Sequence, residues 1–383
     1  MYGLAYKYLN YNEIYIYIIL TCLFLRSVLI KIVNILLFPF SLIYGSLLYI
    51  RNKLYDWEIL KSTTFNFSVI SVGNLNLGGV GKTPHVEYLI RLLEKDFKVA
   101  TLSRGYKRKT KGFYLSNKKS TIIDIGDEPL QYKIKFDNII VAVDEKRVNG
   151  IKKIIESQPE INVILLDDAF QHRAVNPDIN ILVTDYNKLY IKDSVIPSGS
   201  LREWSSGSKR ADIIIVSKTS KVLSLIEKEK IKEQLKPNPN QEVYFSYIKY
   251  GDLTPYNNSA REVQPIEKDF SILLLTGIAQ PKPLFYELND EYNFIEHIKF
   301  PDHHNYLKSD ITSIKKKFNN LHGNNKIIIT TEKDIMRLSL PKILTQLQDI
   351  PIFYIPIEIC FHDNDKEEFD KKILNYVTAN SRN

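Results

Sequence analysis

Cysteine is scarce in this chain. Its 383 residues hold two, Cys22 and Cys360, far apart and with no metal-ligand spacing around either. That argues against a zinc site and suits a reduced compartment, with both thiols structural. No small-residue cleavage site follows the apolar N-terminus, so a secretory leader is not indicated. No internal repeat or low-complexity tract stands out. Acid is missing from residues 104–119, where Arg104, Lys107, Arg108, Lys109, Lys111, Lys118 and Lys119 fall together within a net charge of +8. Such a run is a solvated loop or a surface for anionic lipid headgroups or a phosphorylated substrate. No nucleic-acid-binding motif accompanies it, so nucleic acid is not an expected partner. No obligate protein partner is evident either.

What is present is ordinary globular composition, 44% hydrophobic and 25% charged, in a length sufficient for two domains and an appendage. The appendage is residues 1–60. Residues 14–25 are apolar but too short to span a bilayer as a helix, and the longer run 28–50 is interrupted by Lys31, Asn34 and Pro39. This reads as a membrane-associated helical segment, lying in the interface or crossing once, with a core-packing helical hairpin as the alternative.

Strand–helix alternation starts near residue 62. Short β-branched runs at 69–72, 98–102, 139–143, 163–166, 179–183 and 213–216 are separated by helix-period segments such as 86–94 and 146–156. That pattern predicts a doubly wound α/β domain with a parallel sheet over residues 61–240. Residues 241–268, rich in proline and asparagine around a strand-like 243–248, read as an interdomain strand linker. A smaller α/β domain is expected over 269–383, with strands near 272–276, 326–330 and 352–355 and helices at 310–318 and 366–377.

The stretch SVGNLNLGGVGKTP (71–84) follows an apolar strand and opens a helix. Strand, glycine loop and helix is the setting of a phosphate-binding loop: backbone N–H groups turn inward, and the helix N-terminus favours negative charge. Asn76, Gly78, Gly79, Val80, Gly81, Lys82 and Thr83 are the expected nucleotide contacts, with Lys82 on the outer phosphates and the Thr83 hydroxyl on Mg²⁺. The general pattern has glycine where this chain has Asn76. The apolar run 163–166 ends in Asp167-Asp168, the magnesium-side element of phosphate-loop enzymes; a helix cap is the plainer reading. Asp127, in Gly126-Asp127-Glu128-Pro129, is either a turn residue or a base that accepts the proton of an attacking hydroxyl. Arg104 and Arg202 each follow a strand or loop end, where arginine can clamp phosphate. The 330–334 segment contacts a nucleotide base or caps a helix.

SVGNLNLGGVGKTP, SRGYKRK, GDEP, VAVDEKR, LLDDAFQHR, LREWSSGSKRAD, PDHHNY and TTEKD occur in that order. Together they resemble the tetraacyldisaccharide 4'-kinase family from about residue 36 onward; the first thirty or so residues extend beyond the family's usual start. The family pattern also lacks glycine at the Asn76 position, and Ala169 stands where it usually has glycine. The resemblance implies a P-loop NTPase-type fold with a second α/β domain. It further implies ATP and Mg²⁺, and phosphoryl transfer to the 4'-hydroxyl of a tetraacylated glucosamine disaccharide 1-phosphate. The expected location is the cytoplasmic face of the inner membrane, in contact with membrane lipids. By motif match Asp127 is the catalytic aspartate, His303 rather than His304 assists it, and Asp167, Asp168 and Glu203 surround the magnesium. Arg104, Arg147, Gln171, His172 and Arg202 are the candidate substrate contacts. The histidine reaches the base only once the two domains close. A membrane-anchored regulatory NTPase acting as a switch, or a non-enzymatic nucleotide-binding scaffold, would share the loop and the aspartates but lack a lipid acceptor.

Overall fold

The computed structural model describes residues 11–380 apart from 264 and 265. It begins with one helix, Tyr11–Asp56, of 46 residues, roughly 70 Å long at the usual rise. Pro39 lies inside it without ending it, so the two apolar runs form a single rod and not a hairpin. Its portion Ile32–Asp56 is long and apolar enough to cross a membrane, with mean hydropathy 1.8. Leu29, Ile35, Leu36, Phe40, Ile43 and Leu47 are exposed. One narrow face docks on the body instead. There Ser41 accepts the Ser198 amide at 2.8 Å, and a Cβ added to Gly45 would lie 2.6 Å from the Trp204 indole.

The body is built on two sheets. The strands β1 (Ser68–Gly73), β2 (Val99–Ser103), β3 (Tyr114–Leu115), β4 (Ile140–Val143), β5 (Val163–Asp167), β6 (Ile179–Asp185), β7 (Ile213–Ser217) and β8 (Glu242–Tyr250) belong to the first. The second holds β9 (Thr254–Pro255), β10 (Ser271–Thr276), β11 (Phe294–Lys299), β12 (Lys326–Thr331) and β13 (Ile352–Ile355). A last strand, β14 (Ile357–Phe361), returns to the first sheet, giving the orders β14-β8-β7-β6-β1-β5-β2-β4-β3 and β11-β10-β12-β13-β9. The edge strands β3, β14 and β9 are antiparallel, and the other pairings are parallel. Interior strands such as β1, β5 and β7 are buried along their whole length, as near-continuous apolar runs covered on both faces require.

The boundaries expected from sequence need correction at two places. Residues 241–268 are not only a linker, because they contribute β8 to the large sheet and β9 to the small one. The small unit also stops short of the C-terminus. β14 pairs with β8, and the helix Asp365–Asn380 buries Phe369, Ile373 and Val377 in the same core as Ile70 and Leu89. Alternation along a chain marks strands but not the sheet each joins. β11 escaped notice because none of its residues is buried and they show no apolar run.

An apolar cluster joins the units, combining Ile125, Leu130 and Val143 with Leu273, Ile335 and Met336. The loops leaving the carboxyl ends of β10, β11 and β12 meet those leaving β1, β2 and β7. Open parallel sheets bind ligands at those ends.

Candidate active site

The chain leaves β1 into a loop where Gly78 (φ 110°) and Gly81 (φ 98°) hold left-handed conformations that other residues rarely tolerate. The helix Lys82–Leu93 starts immediately after, so its unpaired first-turn N–H groups face the loop, with Pro84 in that turn. Lys82 Nζ lies 3.1 Å from Asn74 Oδ1 and 3.4 Å from Asp168 Oδ1, and Thr83 is half-buried beside it. Val80 is buried in the core under the helix. Asn76 is buried too and donates to Asp193 Oδ2 at 3.1 Å, so it braces the 193–201 loop. On the other side, Lys218 donates to the Gly79 carbonyl, to Asp185 Oδ2 at 3.1 Å and to Gln280 Oε1 at 2.9 Å. The 217–220 segment therefore ties the loop to the second unit.

Register places Asp167 opposite Val72, at the end of the strand beside β1. Its Oδ2 accepts the Tyr132 hydroxyl at 2.9 Å, while Oδ1 is buried with no partner. Burial and the Asp168 charge raise the Asp167 carboxyl. A carboxylate oxygen buried unpaired is costly, and a cation would relieve it, so the Asp167 environment fits Mg²⁺. Asp168, itself left-handed at φ 50°, takes Arg202 Nη1 at 2.8 and 3.0 Å. Burial works to raise its carboxyl, but Lys82 and Arg202 hold it at about 2. Among the described residues no three His, Cys, Asp or Glu side chains form a metal cage. Magnesium sites that rely on substrate phosphates need none.

Glu203 has a different environment from the one expected. Its Oε1 accepts from Arg210 at 2.7 Å and Gln171 at 3.1 Å, and its Oε2 from Asn52 at 2.7 Å. Both oxygens are thus engaged by protein donors, which leaves the carboxylate a brace and not an open ligand. Gln171 also donates to the Asn74 carbonyl at 2.9 Å and accepts from Arg51 at 3.4 Å. Arg173 grips the Asn52 carbonyl and Asp56. The end of the long helix is thereby bolted to the segment behind the double aspartate.

Arg147 is buried and donates to the carbonyls of Asp144 at 2.7 Å and Asp167 at 3.3 Å, with burial lowering it to about 10. Arg104 is exposed beyond β2. Burial, then the Arg147 charge, pushes the His172 ring down to about 4.

Asp127 opens the helix Asp127–Lys135. Its Oδ2 lies 2.8 Å from His303 Nδ1 and also accepts from Arg337. The pair is in contact here, across the two units. His303 is left-handed (φ 56°), and strained backbone of this kind clusters at functional sites. Burial favours the protonated Asp127, yet His303, Arg337 and Lys333 outweigh it and hold the carboxyl far below the usual range. His304 turns elsewhere, to Asp310 at 2.8 Å and onto the Phe300 ring. Five residues past Asp127 on the same helix, Tyr132 reaches Asp167, so a single short helix links the two acid centres. A cavity of about 210 Å³ lined by Tyr106, Lys107, Lys109, Asp127, His303 and Arg337 opens beside the pair.

Sequence reasoning missed Arg337 and Glu128. Arg337 falls four residues after Lys333, on the same helix face, which is a signal the motif TTEKD could have prompted. Burial and the nearby Asp167 charge push Glu128 up to about 7. Thr331 caps the helix Glu332–Leu338, accepting the Asp334 amide at 3.1 Å, one of the two roles expected of 330–334.

Such a site can hold nucleotide phosphates at the loop and take a proton from an alcohol at Asp127, both on the large-sheet unit, with His303 and Arg337 reaching Asp127 from the small-sheet unit. That defines a P-loop kinase of two α/β units. The LpxK family, described as tetraacyldisaccharide-1-P 4'-kinase, matches residues 33–378, and the chain belongs to it. The tetraacyldisaccharide 4'-kinase of Phocaeicola vulgatus is 46% identical over 359 residues, 93% of this chain and 98% of that one. The one from Flavobacterium psychrophilum is 48% identical over 349 residues, covering 91% and 98%. A crystal structure of LpxK from Aquifex aeolicus in complex with ATP superposes with a TM-score of 0.67 at 28% identity, covering 90% of this chain and 99% of that one.

Proposed function

We propose that this protein transfers the γ-phosphoryl group of ATP to the 4'-hydroxyl of a tetraacylated glucosamine disaccharide 1-phosphate, forming the lipid A precursor lipid IVA. The observation that carries the mechanism is the 2.8 Å contact between Asp127 and His303, made between units beside the phosphate loop. Lys82 and the loop amides neutralise the phosphates. Thr83, Asp167 and Asp168 would hold Mg²⁺, which when bound spreads the charge of the phosphate oxygens. Asp127 accepts the hydroxyl proton and His303 orients it. A carboxylate held this far down is a weak base. That suffices where the transition state is loose and bonding to the incoming oxygen is slight.

Arg104, Arg147, Gln171, His172 and Arg202 gather behind the aspartates near the docked end of the long helix, and serve acceptor binding. The exposed apolar face of Ile32–Asp56 supports membrane association, at the cytoplasmic face where ATP is supplied. The test is mass-spectrometric detection of phosphoryl transfer from Mg-ATP to the purified lipid in detergent, with Lys82→Ala and Asp127→Asn alongside. The lipid should gain one phosphoryl group with the intact protein alone. ATP hydrolysis with unchanged lipid would overturn the reading in favour of a regulatory NTPase.

A further inference from the structure

We propose that Tyr132 is a positioning residue for the magnesium site. It pins the Asp167 carboxylate so that one oxygen stays free for the cation, a role that rests on Asp167 holding the metal. Asp167 and Asp168 are adjacent but spend their charge differently. Asp168 takes Arg202 Nη1 at 2.8 Å and Lys82 Nζ at 3.4 Å. Asp167 has no such cation. Among the described residues the only partner of its carboxylate is the Tyr132 hydroxyl, 2.9 Å from Oδ2, and Oδ1 is buried with none. An ionised carboxylate only accepts, so the phenol donates.

A carboxylate at a strand end can turn about its last torsion and present either oxygen, or both. The surroundings of Asp167 remove that freedom. Tyr132 is fully buried, its ring in the same core as Val72, Leu89 and Phe136, so the hydroxyl cannot follow a turning carboxylate. Arg147 Nη2 donates to the Asp167 carbonyl at 3.3 Å and holds the backbone at the same point. Register sets Asp167 opposite Val72, where β1 gives way to the phosphate loop.

The consequence is directional. With Oδ2 occupied by the phenol, Oδ1 is the oxygen left to meet a cation. Partners that hydrogen-bond a ligating carboxylate set its direction, and their loss weakens metal affinity. Tyr132 also belongs to the helix that Asp127 opens, and its neighbour Gln131 donates to Glu87 Oε1 at 2.7 Å on the helix behind the phosphate loop. One element therefore sets the metal ligand and the base together, against the helix that carries Lys82 and Thr83.

Metal binding tests it directly. Mn²⁺ serves as the probe, because the free ion is read by electron paramagnetic resonance. On the full chain in detergent with ADP present, Tyr132→Phe should weaken Mn²⁺ binding by roughly 10-fold or more, while ADP affinity without metal stays near normal. The substitution keeps the packed ring and removes the oxygen alone. In transfer assays its rate should fall at low Mg²⁺ and return toward that of the unaltered protein as Mg²⁺ is raised, which a merely structural defect would not do. Unchanged Mn²⁺ affinity, or a transfer deficit that added Mg²⁺ leaves in place, overturns the proposal. Asp167→Asn separates the two claims and needs no change at position 132. Intact Mn²⁺ binding there defeats the metal assignment, and the Tyr132 role with it. Weakened binding in Asp167→Asn beside normal binding in Tyr132→Phe defeats the Tyr132 role alone. Combined, the two substitutions should bind Mn²⁺ little worse than Asp167→Asn; fully additive losses would show that Tyr132 acts by another route.

Discussion

Lys135 offers a test of how the two units are held together. Its Nζ lies 2.8 Å from Glu87 Oε2, on the helix behind the phosphate loop, and 2.8 Å from Glu332 Oε1, at the start of the helix carrying Lys333 and Arg337. Glu87 is fully buried and otherwise has Gln131 Nε2 at 2.7 Å and Arg91 at 3.7 Å. Lys135→Met keeps the aliphatic stem and leaves the two carboxylates without their shared cation. Breaking a buried ion pair costs about 3–5 kcal/mol. Lys135 is 20% exposed, and Arg91 and Gln131 remain, so a loss of about 2–3 kcal/mol is expected.

The pH dependence gives the sharper signature. Burial already raises the Glu87 carboxyl, so the folded state binds more protons there than the unfolded chain. Stability from that group is present at low pH and falls as pH climbs from about 4.3 through the raised value. Removing Lys135 raises it further, so the variant's deficit should shrink on acidification. Urea unfolding followed by circular dichroism at pH 5 and pH 7.5 reads this directly. A deficit below about 0.5 kcal/mol, or one equal at both pH values, would refute the reasoning.

Two further outcomes are expected. His85 is buried, with Nδ1 2.7 Å from the Gly81 carbonyl and Nε2 3.0 Å from Ser246 Oγ, and burial lowers it to about 4. Its folded value lies below the unfolded one, so its contribution of at most about 3 kcal/mol holds above pH ~6.5 and is lost as pH falls toward 4; His85→Gln should show a flatter acid dependence of thermal unfolding. Gly45→Leu drives side-chain atoms into the Trp204 indole, an overpacking worth about 1–3 kcal/mol. It should undock the long helix and reduce lipid phosphorylation while leaving ATP affinity, read by equilibrium binding, near normal.

The sequence by itself determined the parts whose cause is contiguous. The glycines at 78 and 81, the lysine after them and the apolar run ahead of them specify a loop between strand and helix through φ preferences and periodicity alone. The β5 run ending in Asp167-Asp168 is legible for the same reason. The order of motifs carried the family, and with it the pairing of Asp127 with His303, 176 residues apart in the chain. Only the tertiary structure decided what those side chains touch. Asp127 meets His303 and Arg337 because loops from two sheets converge, and no local pattern encodes that approach. Glu203 sits within a metal-like motif, yet its oxygens go to Asn52, Gln171 and Arg210, which come from three separate segments. β14 leaves the small sheet for the large one because β8 offers it an open edge. Local propensity makes the pieces, whereas long-range pairing and the burial of charge select which of them form the site.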